Sequence, residues 1–272
     1  MIDFVAQEME SYAMDDDRPL ILITNDDGIE SVLLRSMAAR LSAKFYCAVA
    51  VPDQEHSFCG RKITQDREIK VTRVDDFGCL AYAVNGSPVD SVNIALEHYL
   101  PRPADLVLSG PNIGRNCGVW TVLSSGTVAG AVEAALCGVR GLAVSQSVDG
   151  LEMLRRIKAA GSIPADFEGV WARSLDWIEG VVVQTLSHPD WQRESLGIWN
   201  INLPHKYAGD ALPETYALSE NPLAQTRYGS VFERLSDHTF RYAHARPKRM
   251  DPTGSADIDR IINGYPSRTW LG

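Results

Sequence analysis

The stretch PLILITNDDGIESVLLRSMAARLSAKFYCAVAVP, residues 19–52, carries the change of hydrophobic period on which the fold turns. Pro19–Thr24 is a short apolar run suited to a buried strand, and Leu33, Met37 and Leu41 then share one face of a helix predicted at about Ser31–Leu41. Phe45–Val51 reads as a second strand, ended by Pro52. Strand, helix and strand at this spacing form the unit from which parallel sheets are built. Asn25, Asp26, Asp27 and Gly28 stand where the first strand gives way to the helix. Adjacent carboxylates repel each other, so the position asks for something cationic. Two readings stay open: solvent-facing acids favoured by a helix dipole, or hard oxygen ligands suited to magnesium or manganese.

Downstream, residues 54–84 are less regular, with β-rich pieces at Glu68–Val74 and Leu80–Val84 that suggest a ribbon or hairpin beside the main sheet. In NGSPVDSVNIALEHYL, Ser87, Pro88 and Asp90 have the spacing of a helix start, so the first expectation for Ser87 and Asp90 is a capping box. Ala104–Leu108 and Gly141–Ser145 are further strand candidates, separated by a glycine-containing loop and the small-residue helix TVAGAVEAALCG, with Gly138 as its left-handed cap. Beyond Val148 the expectations are a helix within Gly169–Leu186, a strand at GIWNINLP, and strand-like pieces around Val231–Tyr242. RPKRMDPTGSAD reads as an exposed arm or loop. The predicted organisation is an acidic leader over 1–18 and one α/β domain over 19–272. Its core is placed at about 19–205 and its C-terminal extension at about 206–272.

The formal charge is -9, with 35 acidic against 26 Lys and Arg residues, which argues against a general binder of nucleic-acid duplexes. An anionic small substrate therefore needs local help from a metal or from backbone N–H groups. The five cysteines show no Cys-x-x-Cys spacing, which fits reduced thiols and a cytoplasmic location. The first eighteen residues lack the basic start and apolar run of a signal peptide, and no apolar stretch approaches a membrane span.

In open parallel sheets ligands bind beyond the carboxyl ends of the strands. Here those loops carry Asn25–Gly28, then PDQEHSFCG, then SGPNIGRNCGVWTVLSSGT. The last lacks the Gly-Lys-Ser/Thr ending of an ATP-hydrolysing loop, and no G-x-G-x-x-G follows the first strand. It does offer Asn112 and Asn116, and Ser125, Gly126 and Thr127 at a helix start can form an anion site. A plain N-cap is the alternative. His56 is a minor candidate for substrate contact, and Trp120 and Tyr228 are rim or packing aromatics able to meet a nucleobase.

Taken in order, ITNDDG, VAVPDQEHSFCGRKIT, VNGSPVDSVNIAL, DLVLSGPNIGRNCG and SSGTVAGAVEAALCGVRGLAVS resemble the successive motif blocks of the SurE family of stationary-phase survival proteins. The likeness runs from about Leu20 to Ser147 and continues weakly through NINLP and ADIDRIINGYPSRTWL. It implies a three-layer Rossmann-like α/β core with a mainly parallel sheet, and a C-terminal extension exchanged between subunits of a homodimer or homotetramer. It also implies a metal-dependent phosphomonoesterase that hydrolyses nucleoside 5′-monophosphates, with 3′-monophosphates as a wider option. Carried over residue by residue, Asp26, Asp27, Ser57 and Asn112 match ligands of one Mg2+ or Mn2+ per subunit, with Asp26 and Asp27 also the catalytic pair. Asn116, Ser125, Gly126 and Thr127 match positions lining the phosphate. Phe58 replaces a usual glycine, Pro111 an aliphatic residue, Ser124 a common tyrosine, and Ser31-Val32-Leu33 a small-residue pattern. These departures bear on substrate choice and rate more than on the metal site.

Two rivals are a degenerate member that binds nucleotide without turnover, and a magnesium-binding receiver-type module. The receiver requires a phospho-acceptor aspartate after a central strand and a lysine after a later one. The sequence offers Asn112 at the first position and Ser145-Gln146 at the second. The arm around Arg246–Ser255 is the candidate for exchange between subunits.

Overall fold

The computed structural model describes residues 17–159, 161–187, 197–209, 220–243, 248–251 and 254–272. Of the expected acidic leader, residues 1–16 lie outside the described residues, as do 246, 247, 252 and 253 of the candidate arm. β1 (Leu20–Thr24) pairs in parallel with β2 (Tyr46–Pro52) on one side and β5 (Leu106–Ile113) on the other. Every residue of β1 is buried: Ile21 and Ile23 enter one core cluster and Leu22 the other. A strand covered on both faces needs a continuous apolar run, and burying each such side chain contributes roughly 1.5–3 kcal/mol.

Continuing the chain order, β3 is Val71–Arg73, β4 Leu80–Val84, β6 Gly141–Gln146, β7 Ile198–Leu203 and β12 Ser267–Leu271. With β1, β2 and β5 they form one eight-stranded sheet in the order β12-β7-β6-β5-β1-β2-β4-β3, antiparallel only at its two edges. The ribbon expected beside the main sheet is therefore its edge: β4 joins β2 in parallel, and β3 folds back on β4.

The first helix, α1 (Val32–Ser42), buries Leu33, Met37 and Leu41 as its spacing requires, and the Ser31 hydroxyl caps it by accepting the Leu34 N–H at 3.4 Å. α2 (Pro88–His98) starts with the expected capping box: Ser87 Oγ accepts the Asp90 N–H at 3.1 Å and Asp90 accepts the Ser87 N–H at 2.8 Å. Partial burial pushes the Asp90 carboxyl up, but hydrogen bonds from Thr64 and Ser87 carry it net below its ordinary value. α3 (Val119–Ser124) and α4 (Gly126–Leu136) follow β5; the first is a short helix inside what the sequence presents as a single loop.

α6 (Ala165–Ser187) contains the helix expected within Gly169–Leu186, and α5 (Gly150–Ala159), unexpected from the sequence, precedes it. α5 buries Ile157 fully and packs Met153 and Leu154 against the core. Three layers result. The sheet's α1 and α6 face holds Leu33, Met37, Trp171 and Val182, and its opposite face holds Val92 and Ala134 from α2 and α4.

The C-terminal residues complete the sheet. α7 (Asp257–Ile262) leads into β12, which pairs with β7 from Ser267↔Asn202 to Leu271↔Ile198. β9 (Phe232–Ser236) and β10 (Thr239–Tyr242) form a hairpin, and β8 (Thr226–Arg227) pairs with β11 (Lys248–Arg249). The described part of the expected exposed arm thus packs against other residues of the extension. Arg249 bonds Asp251 at 3.1 Å and reaches Asp259, because a guanidinium with two carboxylates in range satisfies most of its donors.

Candidate active site

The site is built at the carboxyl ends of β1, β2, β5 and β6. Asn25 is fully buried and folds its amide onto the turn that follows: Oδ1 accepts the Gly28 N–H at 3.1 Å and Nδ2 donates to the Gly28 carbonyl at 3.3 Å. Gly28 has φ 89° and lies so close to the Gln54 backbone that a Cβ would come within 3.1 Å of it. This closed turn projects Asp26 and Asp27. The Ile29 N–H on the Pro52 carbonyl at 3.1 Å, and the His56 N–H on the Asp26 carbonyl at 2.8 Å, tie it to the loop after β2.

Each acid is tethered by a hydrogen bond from another element. Asp26 Oδ1 accepts the Thr127 hydroxyl at 2.6 Å, and Asp27 Oδ2 accepts the Ile113 N–H at 2.8 Å. Burial, and then the charge of Asp27, raise the Asp26 pKa to about 7 against the opposing bonds from Thr127. Burial also raises Asp27, and the nearby Lys158 ammonium pulls the other way. Lys158 lies 3.1 Å from Asp27 Oδ1 and 2.7 Å from Glu55 Oε1. Burial would push Glu55 up, but bonds from Lys158 and Ser57 bring its carboxyl net below the ordinary value.

The phosphate candidates are brought to the same edge, with their hydroxyls already engaged. Ser125 Oγ caps α4 by accepting the Val128 N–H at 3.0 Å, and the Thr127 hydroxyl is spent on Asp26. The N-cap reading of this segment therefore holds, with the Val128 N–H satisfied by Ser125 and the Thr127 backbone turned toward Asp26. Gly126 is required by contact, since a Cβ there would lie 2.8 Å from Asp26 Cβ and 2.9 Å from Cys59 Sγ.

Asn112 belongs to the end of β5 and not to a loop, because the strand runs on to Ile113 through an irregularity between Ser109 and Asn112, where the Gly110–Pro111 peptide is cis. The Ile113 bond to Asp27 makes it a neighbour of the acid pair. Asn116 is buried, and its peptide is clamped from β7. Its N–H donates to Asn202 Oδ1 at 2.8 Å, and its carbonyl accepts from Asn200 at 2.9 Å and Asn202 at 3.2 Å. Its side-chain amide donates to Ser145 Oγ at 2.9 Å.

Ser57 departs most from expectation. It is exposed, and its hydroxyl donates to Glu55 and not toward the acid pair. Lys158, Glu55, Asn200 and Asn202 are the residues that sequence reading missed. The two asparagines left a signal, since Asn at alternate positions of a strand is unfavourable unless a polar partner awaits it. Lys158 left none.

The rim is aromatic. Phe58 holds φ 56°, a left-handed conformation that costs a residue with a side chain about 1–2 kcal/mol. Its ring is 56% exposed and stacks on Trp120 with centroids 5.7 Å apart; Trp120 meets Tyr228 at 4.4 Å, and Tyr242 lies 5.9 Å from Phe58. A cavity of about 450 Å³ lies at the other end of the sheet, beside the starts of β2 and β4, and shares no residue with these loops.

The buried acids with neutral oxygen donors beside them can hold a hard cation. Among the described residues no three His, Cys, Asp or Glu side chains gather as a metal cluster. Two carboxylates completed by amide, hydroxyl and water oxygens suit magnesium or manganese and not zinc.

Comparison with known proteins identifies the family and the fold. The family model described as "Survival protein SurE" matches residues 21–226. A protein of Nostoc sp. is 34% identical over 251 residues, 92% of this chain and 98% of its own. "5'-nucleotidase SurE" of Carboxydothermus hydrogenoformans is 34% identical over 221 residues, 80% of this chain and 75% of its own. The crystal structure of the SurE protein from Aquifex aeolicus superposes with a TM-score of 0.68 at 22% identity, covering 93% of each chain, which speaks for the fold.

Proposed function

We propose, for a chain that belongs to the SurE family, that it is a 5′-nucleotidase: a phosphoric monoester hydrolase releasing phosphate from nucleoside 5′-monophosphates. The observation that carries this reading is the meeting of two buried, oppositely tethered carboxylates with a helix N-terminus at one sheet edge, where the Thr127 hydroxyl joins α4 to Asp26.

The donor set fits one Mg2+ or Mn2+ per subunit, held by Asp26, Asp27 and Asn112, with Ser57 joining once its hydroxyl turns from Glu55. Such an ion, when bound, neutralises phosphate charge and lowers the pKa of a bound water. The chain's own groups do the positioning. Gly126 lets the start of α4 approach Asp26, where the positive end of the helix dipole favours a phosphate. Asn116, clamped by Asn200 and Asn202, supports the phosphate from the β6 and β7 side. Asp26 and Asp27 serve the attack on phosphorus, either directly or by taking a proton from water. The Phe58 and Trp120 rings offer a stacking surface to the base, which extends the substrate reading from phosphate to nucleotide.

We further infer a homodimer or homotetramer that exchanges the arm around residues 246–255, a cytoplasmic location, and 3′-monophosphates as further substrates. No helix among the described residues is long and apolar enough to cross a membrane, and all five cysteines are free. Removing residues 246–255 is expected to lower the sedimentation coefficient or cause aggregation; unchanged sedimentation rejects the exchange.

The test of function is phosphate release from 5′- and 3′-nucleoside monophosphates and a generic phosphate ester, with magnesium, with manganese and with chelator. Metal-dependent release from the 5′-nucleotides is expected. Binding without release from any substrate would favour the degenerate member, and Phe58 would be the residue to revert to glycine.

A further inference from the structure

The acid pair, read as needing a cation, already has one from its own chain. Lys158 closes a bridge that runs Asp27–Lys158–Glu55–Ser57, with contacts of 3.1 Å to Asp27 and 2.7 Å to Glu55 Oε1, the oxygen that also accepts the Ser57 hydroxyl. Its ammonium thus occupies an oxygen of Asp27, and the Glu55 oxygen it binds is the one that engages the Ser57 hydroxyl, Asp27 and Ser57 both being assigned to the divalent ion.

We propose that Lys158 is an internal cation competing with the divalent metal for Asp27, so that metal entry displaces the lysine and frees the Glu55–Ser57 loop to turn inward. This rests on the metal-site reading given above. Burial supports the exchange. The Asp27 side chain is 5% exposed and cannot leave, whereas the Lys158 side chain is 28% exposed and has a flexible four-carbon stem. The helix beneath it stays put: Ile157 is buried at 1%, and Arg156 binds Asp166 through two bonds of 2.7 and 2.8 Å, joining the end of α5 to the start of α6. The lysine can swing without moving its backbone.

Lys158 also supplies the lysine that a receiver-type module requires, though from a helix. The acceptor position at the end of β5 holds Asn112, which forms no acyl phosphate. A role in competing for the metal accounts for the lysine without such a module.

The test is calorimetric titration of Mn2+ into the full chain and into Lys158→Met, which keeps the stem and removes the charge, with melting of both proteins in chelator. Lys158→Met is expected to bind Mn2+ about tenfold more tightly, to melt lower in chelator, and to gain more from added Mn2+. Lys158→Arg is expected to return the affinity to within a few-fold of the parent. If Lys158→Met fails to fold, Lys158→Gln reads the same affinity. Equal or weaker Mn2+ binding by the neutral variants overturns the proposal and leaves the metal site standing. Absence of Mn2+ binding in parent and variants alike overturns both.

Discussion

The floor and the rim of the site are built on opposite principles. On the floor, Asp26, Asn25 and Asn116 are buried; Asp26 and Asn116 are held by hydrogen bonds from elements distant in sequence, and Asn25 by the turn at Gly28. On the rim, Phe58 meets Trp120 and Tyr242, and Tyr228 meets Trp120, through ring contacts, while Phe58 and Tyr228 leave much of their surface in solvent. A buried polar group left without its partner costs about 1–3 kcal/mol, so the floor tolerates little change. Ring contacts contribute about 0.5–1.5 kcal/mol each, so the rim can vary while the chemistry stays. Groups common to every substrate belong on the floor, and groups that distinguish one leaving alcohol from another belong on the rim.

The sharpest break of this comparison is Asp26→Asn. Phosphate release should fall for every substrate by more than the roughly 100-fold typical of losing a supporting residue around a metal. A substrate-selective loss would contradict the assignment of Asp26 to the floor. The same variant tests the origin of pH dependence. With a folded pKa raised to about 7, Asp26 binds more protons folded than unfolded above its ordinary value, so the chelated protein should lose stability as pH rises from about 4 to about 7. Asn does not titrate, and the melting temperature of the variant should be flatter across that window.

Asn202→Ala comes next. It removes both the acceptor of the Asn116 N–H and one donor to its carbonyl. We expect a loss of about 1–3 kcal/mol in denaturant unfolding. Turnover should drop roughly 10–100-fold on nucleotide and generic ester alike. Unequal losses on the two substrates would move Asn116 from floor to rim.

Phe58→Gly should have the smallest effect and the most selective one. Glycine relieves the left-handed backbone while giving up the stack on Trp120, so stability should change by less than about 1 kcal/mol. KM for nucleoside monophosphates should rise several-fold, in line with one lost ring contact, and KM for a generic phosphate ester should hold. An equal rise for both would place Phe58 with the phosphate.

Much of the frame was legible because it is written locally. The alternation of strand and helix periods placed β1, α1 and β2, and Ser87 with Asp90 announced a helix start by spacing alone. The length of β5 was not legible: Gly110 and Pro111 signal a loop, yet parallel pairing with β6 carries the strand to Ile113. Neither was α5, which buries only Ile157 fully and packs Met153 and Leu154 against the core.

By itself, the sequence determined the layered α/β frame, the family, and the sheet edge at which Asp26, Asp27, Asn112 and the Ser125–Thr127 turn would meet. Periodicity, capping and motif order are properties of neighbours along the chain. Only the tertiary structure decided how those side chains are used. Lys158 reaches Asp27 and Glu55, and Asn200 and Asn202 reach Asn116, across separations that no local pattern encodes. Thr127 spends its hydroxyl on an acid 101 residues earlier. A hydrogen bond depends on where two backbones arrive after the sheet has assembled, and that is set by strand order and helix packing together.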